Sequence, residues 1–169
     1  NYTLYNAWKA NPNVTLLAGE EPVQQLKGVK NEVEIENIKN AHVKDGVAMV
    51  RFQMALEDKM ARGEAVTECD VTEMLATLRR EQPLCLGESF DTIPAYGANA
   101  AMMHYSPKPD ACSTLKNRGF LLVDSGGQYL EGTTDITRTF VLGELSQEEK
   151  EPYTYVLKAH IALATTVFL

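Results

Sequence analysis

Two aspartates, Asp124 and Asp135, and one histidine, His104, sit in settings where their side chains could do chemistry. Asp124 ends the apolar run Gly119-Phe120-Leu121-Leu122-Val123 and is followed by Ser125-Gly126-Gly127. Such a run predicts a buried strand. Thr133 to Leu142 alternates well enough to be its partner and carries Asp135 near its start. Folding the two back at Tyr129-Leu130 sets Asp124 opposite Asp135, with Cβ atoms about 4.5–5.5 Å apart on one face. Tyr-Leu is a poor two-residue turn, so a longer irregular turn is the other possibility. Carboxylates so placed repel each other and raise one pKa unless a cation lies between them. A divalent ion, or a pair of ions about 3.5–4 Å apart, relieves that repulsion and can activate a water. The plainer reading is an acid at a strand end before a glycine turn, with a second acid merely solvated.

The elements that would position these groups are legible to different degrees. Asn31 can cap a long helix, with Glu34 three residues on and Glu32 in the first turn. Ile35, Ile38, His42, Met49, Phe52, Leu56 and Met60 then form one apolar stripe ending near Gly63, which makes His42 a packed or half-buried residue. Asp45 and Gly46 interrupt the stripe. Thr67 with Asp70 opens a second helix that runs to about Arg80. From Leu84 to Pro109 the chain turns to Gly, Pro, Asn and small residues, which predicts a loop with one short strand, and this loop carries His104. Ser146 and Glu149 form a capping box for a last helix containing Pro152 and His160. Residues 1–28 read as the tail of a preceding unit, with a short strand at Val14–Leu17 and a helical turn or two at Glu21–Lys27. Residues 29–169 read as the main domain. The chain lacks a leader-like start and a terminator for its last helix, so both ends are expected to lie inside a longer protein.

Composition narrows the classes. The chain has 169 residues, 44% of them apolar, and no run approaches the roughly 18 apolar residues of a membrane span. A net charge of −7 with scattered Lys and Arg argues against a nucleic-acid partner. Cys69, Cys85 and Cys112 are odd in number and fit neither a zinc pattern nor a disulfide framework. They are expected to be free thiols in a reducing compartment, hence a cytoplasmic location.

Asp124-x-Gly-Gly followed by Asp135-Ile-Thr-Arg-Thr resembles the metal-ligand segment of the aminopeptidase P branch of the pita-bread metallopeptidases. Ser89-Phe90-Asp91-Thr92-Ile93, Tyr96-Gly97-Ala98-Asn99-Ala100 and His104-Tyr105 resemble that family's substrate-side loop. Lys30 to Ile35 and Ala41 to Val47 resemble the opening helix of its catalytic domain. The resemblance runs from about residue 22 to residue 169, with the motifs in order. It implies an α+β fold with helices on one side of an antiparallel sheet, as the N-terminal half of a pita-bread catalytic domain. It also implies an Xaa-Pro aminopeptidase acting on peptides with proline second, with prolidase or a non-catalytic peptide-binding module as alternatives. Asp124 would bind one metal, Asp135 would bridge two, and Thr137 would orient Asp135. The metals would be manganese, with cobalt or zinc possible. His104 would contact substrate and help stabilise the tetrahedral intermediate. One His and two Glu complete the family's site, and no segment here matches them; His160 lacks the Gly-rich setting of that ligand. With only two ligands, this chain alone is expected to be inactive. The apolar face left without the other half of the domain predicts self-association, a homo-oligomer included.

Overall fold

A computed structural model describes residues 1–17 and 19–168. The chain forms two compact units, Asn1–Ile35 and the remainder from Glu36. In the first, α1 (Tyr2–Lys9) is capped by Asn1, and α2 (Pro22–Gly28) by Glu21 with proline in its opening turn. Val14–Leu17, expected as a strand, is irregular. A strand needs a neighbour for its N–H and C=O groups, and none of the described sheets pairs with this segment.

The second unit is built on two helices. α3 (Glu32–Ala61) starts in a reciprocal cap, with Asn31 N–H donating to Glu34 Oε2 (2.8 Å) and Glu34 N–H to Asn31 Oδ1 (2.9 Å). Its buried stripe is Ala41, Asp45, Ala48, Met49, Phe52 and Leu56. His42 is not packed, as the apolar pattern predicted, but exposed, its Nδ1 2.8 Å from Ile38 O. It lies one residue, about 100°, round the helix from Ala41, off the face that meets the core. α4 (Glu68–Arg80) opens with the Thr67–Asp70 capping box.

Six strands follow: β1 (Cys85–Glu88), β2 (Ile93–Tyr96), β3 (Phe120–Ser125), β4 (Gly127–Tyr129), β5 (Gly132–Thr133) and β6 (Ile136–Val141). A 3-10 turn, Gly97–Ala101, follows β2, and α5 (Gln147–Thr165) closes the chain. The strands make two antiparallel three-stranded sheets, β1-β4-β5 and β2-β3-β6. The segment from Leu84 thus holds two strands where one was expected. Each is short and carries Gly87 or Pro94, so neither shows alternation; both sit at sheet edges, where proline is tolerated.

Central strand β3 alternates, with Leu121, Val123 and Ser125 buried. These face Met49, Phe52 and Leu56 of α3 and Val71 and Leu75 of α4 in one core. Phe140 of β6, opposite Leu121, meets Phe52 edge-on with ring centroids 5.6 Å apart. α3 and α4 therefore cover one face of this sheet, the α+β arrangement expected. Phe120, on the other face, stacks on Tyr153 of α5 at 5.3 Å.

A buried ion pair runs through this core. Arg79 Nε and Nη2 donate to Asp45 Oδ1 (2.7 Å) and Oδ2 (3.1 Å), and Nη2 also reaches Ser125 Oγ (3.0 Å). The Tyr129 hydroxyl donates to Asp45 Oδ1 (3.1 Å). Burial, then the charge and hydrogen bond of Asp45, push that hydroxyl far above the ordinary tyrosine range. The four residues join α3, α4, β3 and β4.

Cys69 and Cys112 are not free thiols, as their spacing suggested, but disulfide-paired, with Cα atoms 6.0 Å apart. The antiparallel bridge Thr67↔Thr114 brings them together, because 69 and 112 lie two residues beyond it on either strand of the contact. A separation of 43 residues leaves no trace of this in the sequence. Cys85 remains free.

Arg79→Met leaves the Asp45 carboxylate buried without its cation and is expected to lower unfolding free energy by about 3–5 kcal/mol, measured by urea titration. The Asp45→Leu/Arg79→Met double variant should recover most of that loss.

Candidate metal centre

Asp124 is held from both sides. Within β3 its neighbours Val123 and Ser125 point into the core, so the pleat turns Asp124 to the opposite face. β2 pairs it with Ile93 and β6 pairs it with Thr137. The Thr137 hydroxyl donates to Asp124 Oδ1 at 2.7 Å. The family resemblance assigned Thr137 to Asp135; its hydroxyl instead orients Asp124, the residue across the ladder.

Asp135 directly precedes β6 and is exposed. It is not directly opposite Asp124, as a turn at Tyr129-Leu130 required. The tight turn falls one residue later, because Tyr129 pairs with Gly132 around Leu130-Glu131. Each paired position is thereby shifted by two, and the register, continued one residue past its last pair Ser125↔Ile136, would make Asp135 the diagonal neighbour of Asp124. A shift of two preserves the face. Diagonal positions have side chains about 7–8 Å apart at most, a span two carboxylates and one ion can bridge.

The backbone beside Asp135 is fixed where the chain passes between the two sheets. Thr134, fully buried, donates N–H to Gly127 O (2.9 Å) and accepts from Gly127 N–H at Oγ1 (2.8 Å). Its carbonyl accepts from Ser89 Oγ (2.9 Å). Gly126 packs so closely here that a Cβ would lie 2.0 Å from Thr134 O. None of the ion pairs among the described residues engages Asp124 or Asp135. Two hard oxygen donors unneutralised by Lys or Arg suit a divalent cation. They do not make a complete site: no cluster of three or more His, Cys, Asp or Glu able to hold a metal occurs among the described residues.

His104 lies in an exposed turn after the 3-10 segment, closed by Tyr105 N–H donating to Met102 O (3.1 Å). Its loop is tied to α4 through Glu68, a buried residue that sequence reasoning missed because a first-turn glutamate ordinarily reads as a solvated dipole partner. Burial pushes the Glu68 carboxyl up, but hydrogen bonds from Asn99, Tyr96, Ser113 and Tyr105 outweigh it and hold it below its ordinary value.

Residues 36–168 match the family model for metallopeptidase family M24. The chain belongs to family M24. Among M24 relatives, it is 43% identical over 147 residues to a probable Xaa-Pro aminopeptidase P of Laccaria bicolor, covering 87% of this chain and 23% of that protein. The crystal structure of a Caenorhabditis elegans X-prolyl aminopeptidase, described as a cytosolic enzyme with a di-nuclear active site, superposes with a TM-score of 0.83. Identity there is 36%, over 88% of this chain and 24% of that one. A recombinant prolidase from Thermococcus sibiricus superposes with a TM-score of 0.72 at 27% identity, over 86% of this chain and 37% of that one. The chain thus spans about a quarter of its aminopeptidase relatives.

Three outcomes follow for this M24 segment. Gly126→Ala forces a Cβ into the Thr134 carbonyl and should destabilise by about 1–3 kcal/mol or more. Gly46→Ala, in the α3 interior with nothing within 4 Å of its Cβ, should stabilise by about 0.5–1 kcal/mol; urea titration reads both. Glu68, with its carboxyl lowered in the fold, contributes stability that is full above its ordinary value of 4.5 and lost as pH falls through the lower folded value. Melting of Glu68→Gln across that acid range should therefore depend less steeply on pH than melting of the unsubstituted chain.

Proposed function

We propose that this chain supplies the first two metal ligands, Asp124 and Asp135, of a two-metal aminopeptidase that releases the N-terminal residue from peptides with proline second. The reading is supported by Asp124, turned away from the core and bonded to Thr137, and by Asp135 directly before β6, neither with an ion-pair partner among the described residues, in an M24 chain. In this reading Asp124 and Asp135 would hold the ions, and further chain beyond these 169 residues would supply the remaining donors. A carboxylate-rich set favours manganese, with cobalt or zinc as alternatives. Bound divalent ions supply Lewis acidity toward the scissile carbonyl and acidify water.

The chain's own residues have distinct tasks. The Thr137 hydroxyl holds Asp124 in one rotamer, as outer partners of metal ligands do. His104 donates a hydrogen bond to the scissile carbonyl oxygen as negative charge develops there. The partner is a peptide with a free amino terminus. Aminopeptidase P is favoured over prolidase by 43% and 36% identity to the former against 27% to the latter. A cytoplasmic location belongs to the same proposal, supported by the similarity to the nematode enzyme, which is cytosolic. With Cys69 and Cys112 paired, free thiols no longer support that location. No helix among the described residues is long and apolar enough to cross a membrane.

In the full-length parent with manganese, Xaa-Pro-Xaa tripeptides should be cleaved and Xaa-Pro dipeptides left intact; the reverse preference would make it a prolidase. Asp135→Asn should weaken metal binding, by calorimetric titration, at least as much as the about 10–100-fold produced by losing an outer partner. The isolated 169-residue chain should show no turnover with added manganese. Robust hydrolysis by it, abolished in Asp124→Ala, would contradict the division of the site.

A further inference from the structure

We propose that Glu68 is the positioning residue for His104, fixing the 97–113 loop in the one conformation from which that imidazole meets substrate. The inference rests on the role proposed for His104 and adds the group that makes the role possible.

Glu68 is fully buried, and its carboxylate is saturated. Oε1 accepts from Tyr96 N–H (2.8 Å) and Asn99 Nδ2 (2.9 Å). Oε2 accepts from the Tyr105 hydroxyl (2.7 Å) and Ser113 N–H (2.9 Å). A carboxylate has about four lone-pair sites, and all are used. Every donor comes from the segment that contains His104, two before it and two after it. One is Tyr105, its immediate neighbour. The clamp is reinforced at its base, where Glu68 N–H donates to Ser113 O (3.0 Å) and Leu115 N–H to Val66 O (2.8 Å).

None of the described ion pairs includes Glu68. Burying a carboxylate without a cation is expensive unless hydrogen bonds replace its hydration, and here three come from that loop and one from Tyr96 at the end of β2. The loop in turn lacks a large apolar anchor near its tip, since Met102, Met103 and His104 are all exposed. Past its tip the loop is tied to α4 by the Cys69–Cys112 disulfide, and around His104 its order rests on polar bonds that converge on one side chain. A general acid or hydrogen-bond donor displaced by about 1 Å loses up to about 100-fold in rate, so a clamp on both flanks of His104 is a rate-determining feature of the loop.

The test uses the full-length parent protein with manganese bound and compares Glu68→Gln, His104→Ala, their double variant and Tyr105→Phe. Gln keeps the size but presents an N–H₂ to two of the donors; Tyr105→Phe removes one donor and leaves the carboxylate in place, and it carries the test alone should Glu68→Gln not fold. Expected are a fall in kcat of up to about 100-fold in Glu68→Gln, a smaller fall in Tyr105→Phe, and KM and manganese affinity near their original values. The double variant should be no slower than His104→Ala. Hydrogen exchange at the Tyr96 and Ser113 amides should accelerate in Glu68→Gln. Losses that multiply in the double variant, or a lowered Tm with unchanged kcat, would overturn the positioning role. Unchanged kcat in His104→Ala would overturn the role of His104 and this inference with it. The exchange data tell these failures apart, because only loss of the clamp exposes the two amides.

Discussion

Leu121, Val123 and Ser125 face α3 and α4, and the pleat of β3 therefore turns Leu122 and Asp124 the other way. The core that stabilises the sheet thus fixes the orientation of the candidate ligand, since neither can change without the other. Register matters for the same reason. A slip of one residue between β3 and β6 would send the Thr137 hydroxyl to the core face and leave Asp124 without its orienting bond. The ion pair between Asp45 and Arg79 reinforces the arrangement from beneath, because Arg79 also holds the Ser125 hydroxyl next to Asp124. A buried pair of this kind adds little net stability but strongly penalises arrangements that separate its partners.

Much of this was legible in the sequence, for reasons local to each element. The caps at Asn31–Glu34, Thr67–Asp70 and Ser146–Glu149 form as read, because capping geometry involves only three or four consecutive residues. The apolar run before Asp124 is likewise self-evident as a central strand. The pairing of Asp124 was displaced by two positions, since the turn at Leu130-Glu131 has no strong turn dipeptide and the chain changes sheets at Gly126 and Thr134. A displacement of two, unlike one of a single residue, does not by itself move a side chain to the other face.

Longer-range polar groups were the part that sequence concealed. Asp45 looked like an interruption of a stripe and is its buried centre; Glu68 drew no reading at all and is completely enclosed. Charged residues are almost never fully buried unless paired or saturated, so pattern alone assigns them to the surface. Their partners, Arg79, Tyr129, Asn99 and Ser113, are 31 to 84 residues distant. The Cys69–Cys112 pairing was hidden for the same reason. Such groups also carry the most specific information about the site, since they fix the strand beneath Asp124 and the loop around His104.

The claim on which the account turns is that Asp124 and Asp135 share a divalent ion. Crystals of the full-length parent grown with manganese, with data collected at the manganese absorption edge, address it without recourse to activity. The account predicts an anomalous peak about 2.0–2.2 Å from a carboxylate oxygen of each aspartate, with Thr137 still bonded to Asp124. Anomalous peaks located elsewhere, with both aspartates bonded only to water or to protein cations, would contradict it.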